Sequence, residues 1–279
     1  MCQFCVQHGD GKAWYLQAEN YAFDLSRDLE RRGYVIDFVR NFDGNRARLL
    51  TGVEVLERAP DNVERAVKGR ITKRMQGHHF GQPVPIEECE RIFDFATSIV
   101  RLPCVCRTYA GKAERGYCLA VTAVPMDDTL ADAFEGFDMG PDISRLESMS
   151  ADEAMTLLRQ CEREGLMHSV WTFITPFIGA ICNCDLPSGC MAMQLTVAHD
   201  VKIMWRGEHV ATMAEERCTS CGSCVEICPF GAIEVTDSEE AVALRQGDCW
   251  GCGVCRAACE QGAISLVPRL SIPAVADLW

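Results

Sequence analysis

The sequence predicts an α+β protein in three parts. Apolar residues recur at helical spacing through the first 80 residues, and a helix alternates with strand-like runs in the middle. Near the C-terminus a cysteine-bearing turn followed by an alternating strand occurs twice. The expected boundaries are a mainly helical region over 1–83, a cysteine-rich α+β module over 84–208, a duplicated cysteine domain over 209–268 and a tail over 269–279. At 279 residues the chain is long enough for two domains, since a domain takes roughly 100–200 residues.

Two stretches carry the helical reading of the N-terminal region. AENYAFDLSRDLERRG (18–33) has helical apolar spacing and is expected to stop at Gly33. PDNVERAVKGRITKRM opens at Pro60, a residue favoured at the first helical position. Its basic residues Arg65, Lys68, Arg70, Lys73 and Arg74 read as a solvated helix face, with partner docking as the alternative. GHHFGQPVP (77–85) follows as a loop in which His78 and His79 are expected to face solvent.

From Pro85 a helix is expected through IEECERIFDFATSIV, ending at Leu102-Pro103, because the residue before proline is pushed out of the helical region. LPCVCR (102–107) leads into the strand-like GYCLAVTAV. MSADEAMTLLRQCEREG (149–165) has a capping box of Ser150 with Glu153 and a glycine stop at Gly165. Leu166 to Phe173 then reads as a strand. Helix, strand, capped helix and strand give the middle module a winged-helix-like order.

Residues 218–228 read CTSCGSCVEIC and residues 249–259 read CWGCGVCRAAC, each a C-x2-C-x2-C-x3-C run. CPFGAIEV (228–235) and CEQGAISL (259–266) extend the repeat as a turn and a strand. A short loop of this spacing wraps one iron–sulfur cubane, while the fourth cysteine lies too far round and reaches a second. Gly222, Ser223, Gly251 and Gly253 let the backbone approach the inorganic sulfides. The stretch over about 209–268 resembles the bacterial-type ferredoxin domain with two [4Fe-4S] clusters. That resemblance implies a ferredoxin-like fold, with Cys218, Cys221, Cys224 and Cys259 on one cluster and Cys249, Cys252, Cys255 and Cys228 on the other. Glu260 stands where such domains usually have proline, and its charge is expected to lower the nearby potential. Trp250, Phe230 and Ile227 flank the ligands and are read as water shields or local core.

The middle module holds Cys104, Cys106, Cys118, Cys182, Cys184 and Cys190 in three tight groups, more than a core needs. Lone Cys89 and Cys161 sit in helical patterns and read as small buried hydrophobes. LPCVCR, EGLMH (164–168) and ICNC (181–184) resemble a cysteine-rich segment found ahead of ferredoxin domains in large iron–sulfur proteins of anaerobes. The resemblance covers about 84–192 and implies a third iron–sulfur cluster on a subset of the six. Zinc and no metal are the alternatives, and spacing does not select the subset. Arg107 is a candidate cofactor-binding residue whose charge would raise the potential, against a surface ion pair. His168 reads as a hydrogen-bonded residue at a strand start, with ligation as the alternative. Cys2, Cys5 and His8 form a further, incomplete zinc or cluster ligand set, with an ordered or redox-active terminus as the alternative, and their spacing fails the C-x-x-C-H of c-type haem.

Composition limits the function classes. A net charge of −13 argues against nucleic acid and suits a basic patch on a protein partner. Eighteen cysteines in a chain whose start, MCQFCVQHGD, lacks a secretory signal point to metal ligation in a reducing cytoplasm. No apolar run is long enough for membrane insertion. No Walker loop, dinucleotide fingerprint, H-E-x-x-H or G-x-S-x-G is present. The expected function is electron transfer, as a ferredoxin-type subunit serving a catalytic oxidoreductase subunit or other redox protein in an anaerobic complex. The alternatives are a small-molecule reductase with an open-site middle cluster and a cluster-based redox sensor or interaction protein.

Overall fold

The computed structural model describes residues 13–22, 28–112, 116–125, 128–139, 142–143, 145–236 and 241–278. Cys2, Cys5 and His8 lie outside the described residues.

After two short 3-10 turns (Trp14–Leu16 and Ala18–Tyr21), the second of them where the 18–33 helix was expected to begin, come three helices: α1 (Leu29–Arg40), α2 (Phe42–Leu56) and α3 (Asp61–His78). Asp28 caps α1 by accepting from the Arg31 N–H, and Gly33 lies inside the helix instead of ending it. A lone glycine weakens a helix without terminating it unless the chain turns left-handed there. Pro60 is the N-cap of α3, as its fixed φ favours. Arg65, Arg70, Lys73 and Arg74 are exposed, whereas Lys68 is half-buried and pairs with Glu64 at 2.7 Å.

The centre is a six-stranded antiparallel sheet in the order β1-β5-β6-β3-β2-β4. Its strands are β1 (Gly81–Pro83), β2 (Ser98–Leu102), β3 (Cys118–Thr122), β4 (Glu147–Met149), β5 (Met167–Thr172) and β6 (Ile178–Cys184). The winged-helix-like order is thus part of a larger sheet than expected. The helix predicted from Pro85 also differs. It ends as α4 (Ile86–Phe95), and Ser98–Leu102 is a strand paired with β3 and β4. A short apolar run fits either period, and here strand pairing decides. The capping box of α6 (Ala151–Arg163) forms as expected, Gly165 at φ +81° ends the turn beyond it, and β5 follows. Between β2 and β3 lies the short α5 (Val105–Tyr109).

Strand alternation sorts the sheet into two faces. On one face Leu119, Val121, Val170 and Ile181 pack with Cys89 and Ile92 of α4, Leu158 of α6 and the buried rings of Trp14, Tyr15 and Tyr21. On the other, Cys118, Ala120, Met167, Trp171, Ala180 and Cys184 meet α1, α2 and the 190–204 segment. Cys89 and Cys161 are fully buried in apolar clusters.

The chain then enters β7 (His209–Met213), α7 (Ser223–Ile227), β8 (Ile233–Val235), β9 (Val242–Leu244), α8 (Val254–Ala257) and β10 (Ile264–Pro268). Antiparallel pairs β7–β10 and β8–β9 frame the two cysteine runs. Fully buried Arg269 ties the tail down, donating to the Gly207, Val275 and Ala276 carbonyls.

Candidate metal centres

The two C-terminal cysteine runs fold round two separate pockets. One is lined by Cys218, Cys221, Cys224 and Cys259, the other by Cys228, Cys249, Cys252 and Cys255. Each run supplies three cysteines to one pocket, and its fourth crosses to the other. Backbone N–H groups point at the sulfurs: Ala211 and Gly251 donate to Cys249 Sγ at 3.4 Å each. Ala232 to Cys228 and Ala263 to Cys259, both at 3.3 Å, are repeat-related donors. Sulfurs ringing a void and already turned toward amide donors fit a [4Fe-4S] cubane, whose charged thiolates gain from such bonds.

Residues 217–264 match the family described as the 4Fe-4S dicluster domain. The C-terminal part of this chain is a dicluster ferredoxin-like domain. It supports an iron–sulfur electron-transfer role. No curated protein is significantly similar to the chain.

The two pockets of the dicluster domain differ in exposure. Cys221 is exposed, and hydrogen bonding to Ser223 lowers its thiol pKa. Cys249, Cys252 and Cys255 are buried, and burial pushes the Cys255 thiol up to about 12. Phe230 stacks on Trp250 with ring centroids 4.7 Å apart at 7°, and Arg206 lies over the same indole. With Ile227 these rings pack against an apolar cluster that joins Cys252 and Val254 to Met191, Met193 and Cys184 of the middle module. They therefore cover the joint between the domain and the sheet as well as the second pocket.

The structure brings the six middle cysteines together. C-x-C in a strand puts both side chains on one face, so Cys182 and Cys184 of β6 point the same way. Leu119 pairs with Ile181, and the next antiparallel step sets Cys118 beside Cys182, with sulfurs 3.8 Å apart. Cys104 and Cys106 come from the start of α5, Cys190 from the turn after β6. Thiol hydrogen bonds run in one chain through Cys104, Cys118, Cys182, Cys184, Cys190 and Cys106. Within it two sulfurs favour the thiolate. Cys182 is lowered by hydrogen bonds from Cys118 and Cys184, and Cys190 by those from Cys106 and Cys184. Among the described residues no group of three or more His, Cys, Asp or Glu side chains is set to hold a single metal ion. The dicluster quartets surround voids, and the six middle thiols line the wall of a chamber.

Arg107 is buried beside this thiol cage, not in a surface ion pair. Its guanidinium donates to Asp185 at 3.3 Å and to the Asn183 carbonyl at 3.5 Å, and sits 4.4 Å over the Tyr117 ring. Burial works against its charge, but Cys104, Cys184 and Asp185 outweigh it and raise the pKa. His168 faces the opposite side of the sheet from the cage. Its Nδ1 lies 2.6 Å from Asn183 Oδ1, and an amide oxygen only accepts, so Nδ1 donates. Burial pushes its pKa down to about 4.

The expectation for His79 is corrected. It is buried, bonded through Nδ1 to the Thr172 carbonyl at 2.6 Å and stacked on Trp171. Polar neighbours in GHHFG gave no local sign of this, because rings from α1 and β5 cover it. The signal that was available is the apolar content of the stretch that covers it, Tyr34, Val35, Ile36, Phe38, Val39 and Phe42, which needs a partner to bury it.

Proposed function

We propose that the protein is a ferredoxin-type electron-transfer subunit that relays single electrons to or from a catalytic oxidoreductase partner in an anaerobic, cytoplasmic complex. The observation that carries this reading is the pair of cysteine quartets, each round its own pocket with amide N–H groups turned to the sulfurs. When bound there, [4Fe-4S] clusters supply reversible one-electron chemistry at potentials spanning roughly −700 to +450 mV. Cys218, Cys221, Cys224 and Cys259 are assigned to one cluster, and Cys249, Cys252, Cys255 and Cys228 to the other.

The chain's own residues supply the rest. Exposed Cys221, with exposed Glu215, Glu216 and Glu226 near it in sequence, makes the first pocket the end that a basic partner surface meets. Phe230 and Trp250 line the second pocket and keep water from it. Cys252 and Val254 share one apolar cluster with Cys184, Cys190 and Met167, so the thiol cage lies on the continuation of the same line. A third iron–sulfur cluster on a subset of Cys104, Cys106, Cys118, Cys182, Cys184 and Cys190 extends the relay, with Arg107 holding positive charge beside it. No helix is long and apolar enough to cross a membrane among the described residues.

A second reading, a small-molecule reductase, is favoured by one observation: the six thiols line a chamber of about 310 Å³, far larger than the pocket of either quartet. Substrate-dependent reoxidation of the isolated, pre-reduced chain selects it. Anaerobic iron and sulfide quantification with EPR of the reduced protein tests the main reading. About eight irons per chain mean two clusters and a clear excess means a loaded cage. Iron near zero after strictly anaerobic preparation refutes it.

A further inference from the structure

On the sheet face that carries the thiol cage, α1 and α2 do not close against the strands. A chamber of about 310 Å³ remains between them, within the roughly 300–1,000 Å³ of small-molecule sites. The two quartet-lined pockets of the dicluster domain enclose about 10 and 20 Å³. The chamber therefore has room beyond what the thiols themselves need to hold. Its wall is largely carbon, from Phe38, Phe42, Leu49, Phe173, Trp171 and Leu195.

A buried histidine is aimed into this space. The His79 ring is held by Phe38, Trp171 and Phe173, with centroids 4.6, 5.0 and 5.0 Å away. Because the Thr172 carbonyl only accepts, Nδ1 carries the proton and Nε2 is a bare acceptor. Nε2 has no hydrogen-bond partner among the described residues, although His79 is only 9% exposed. Burial holds its pKa down at about 4, so the acceptor persists at neutral pH. Two of the nearby polar groups are spent: Trp171 Nε1 donates to Ser169 Oγ, and Arg31 donates to the Phe173 and Ile174 carbonyls. Arg46 Nε, a donor on the same wall, is also without a partner. A hydroxyl group both donates and accepts.

We propose that the chamber binds a neutral aromatic small molecule bearing a hydroxyl group, of the phenol class. Its O–H donates to His79 Nε2, and its ring lies among Phe38, Phe173 and Trp171, facing the thiol cage. This site stands on the chamber and His79 alone and goes beyond the electron-transfer reading.

The test is equilibrium dialysis of the full chain, purified anaerobically with its iron, against 2-naphthol and 2-methylnaphthalene. One 2-naphthol is expected per chain, bound about five- to tenfold more tightly than the methyl isostere, the worth of one hydrogen bond. His79→Phe keeps the ring packing and should erase that preference while sparing 2-methylnaphthalene affinity. Ala180→Leu adds carbon to the chamber wall and should weaken both probes about tenfold. If Ala180→Leu fails to fold by circular dichroism, His79→Phe decides alone. Absence of saturable binding, equal affinities in the native chain, or a preference surviving His79→Phe overturns the proposal. So does expulsion of 2-naphthol by iron loading, which would give the whole chamber to the cage's occupant. EPR of the reduced protein scores the electron-transfer reading separately.

Discussion

Gly251→Ser places in the second cysteine run the residue that the first run carries at the equivalent position, Ser220. Both positions are left-handed, φ +54° at Ser220 and φ +72° at Gly251. Their surroundings differ: Ser220 is exposed, whereas a Cβ on Gly251 overlaps the His209 carbonyl oxygen. A non-glycine residue in this conformation costs about 1–2 kcal/mol. Relieving the overlap moves β7 away from the loop, and β7 supplies the Ala211 N–H to Cys249 Sγ, while Gly251 supplies its own. Losing both adds about 1 kcal/mol each, for about 3–4 kcal/mol in all. The expected result is a chain that loses about four irons, those of the pocket lined by Cys249. Its reduced EPR spectrum then loses the broadening that comes from two interacting centres. Ser220→Gly is the control; it relieves an exposed left-handed residue and should leave iron content unchanged. Full iron content and an unaltered spectrum in Gly251→Ser would falsify the claim that the His209 carbonyl fixes this loop.

Three further outcomes follow from the same geometry. Cys228→Ala, though it lies in the first run, should perturb the EPR signal of the centre held by Cys249, Cys252 and Cys255; a change confined to the other signal contradicts the crossover. His79 and His168 both have pKa values lowered by burial from 6.5 to about 4. Their folded values lie below the unfolded one, so the stability of keeping them neutral is complete above about pH 6.5 and lost as pH falls toward 4, at most about 3 kcal/mol each. Urea midpoints of His79→Gln and His168→Gln should accordingly change less between pH 7 and pH 5 than that of the native chain. Ser150→Ala removes a capping box in which Ser150 and Glu153 satisfy each other's N–H groups. It should cost about 1 kcal/mol in thermal or urea unfolding with iron content unchanged, and a loss of iron would mean that α6 supports the cage.

Much of this protein is legible in its sequence where the chemistry is local. The two C-x2-C-x2-C-x3-C runs announce a dicluster domain, because a loop that short confines three sulfurs to one small volume whatever surrounds it. The Ser150–Glu153 box marks a helix start, because a cap is settled within four residues. The α+β class is equally plain from the change of period along the chain.

Tertiary structure decided the rest. Ser98–Leu102 follows a helical pattern in sequence, but β3 and β4 offer it paired edges on both sides, and backbone hydrogen bonds across strands outweigh a weak local preference. Cys104, Cys106 and Cys190 join Cys118, Cys182 and Cys184 only because β3 lies between β2 and β6, an order that spacing along the chain does not encode. His79 is a polar residue in a polar stretch until α1 and β5 close over it. Spacing can place groups a few bonds apart. Burial depends on what arrives from a hundred residues away, and that is why the quartets were readable in advance and the chamber was not.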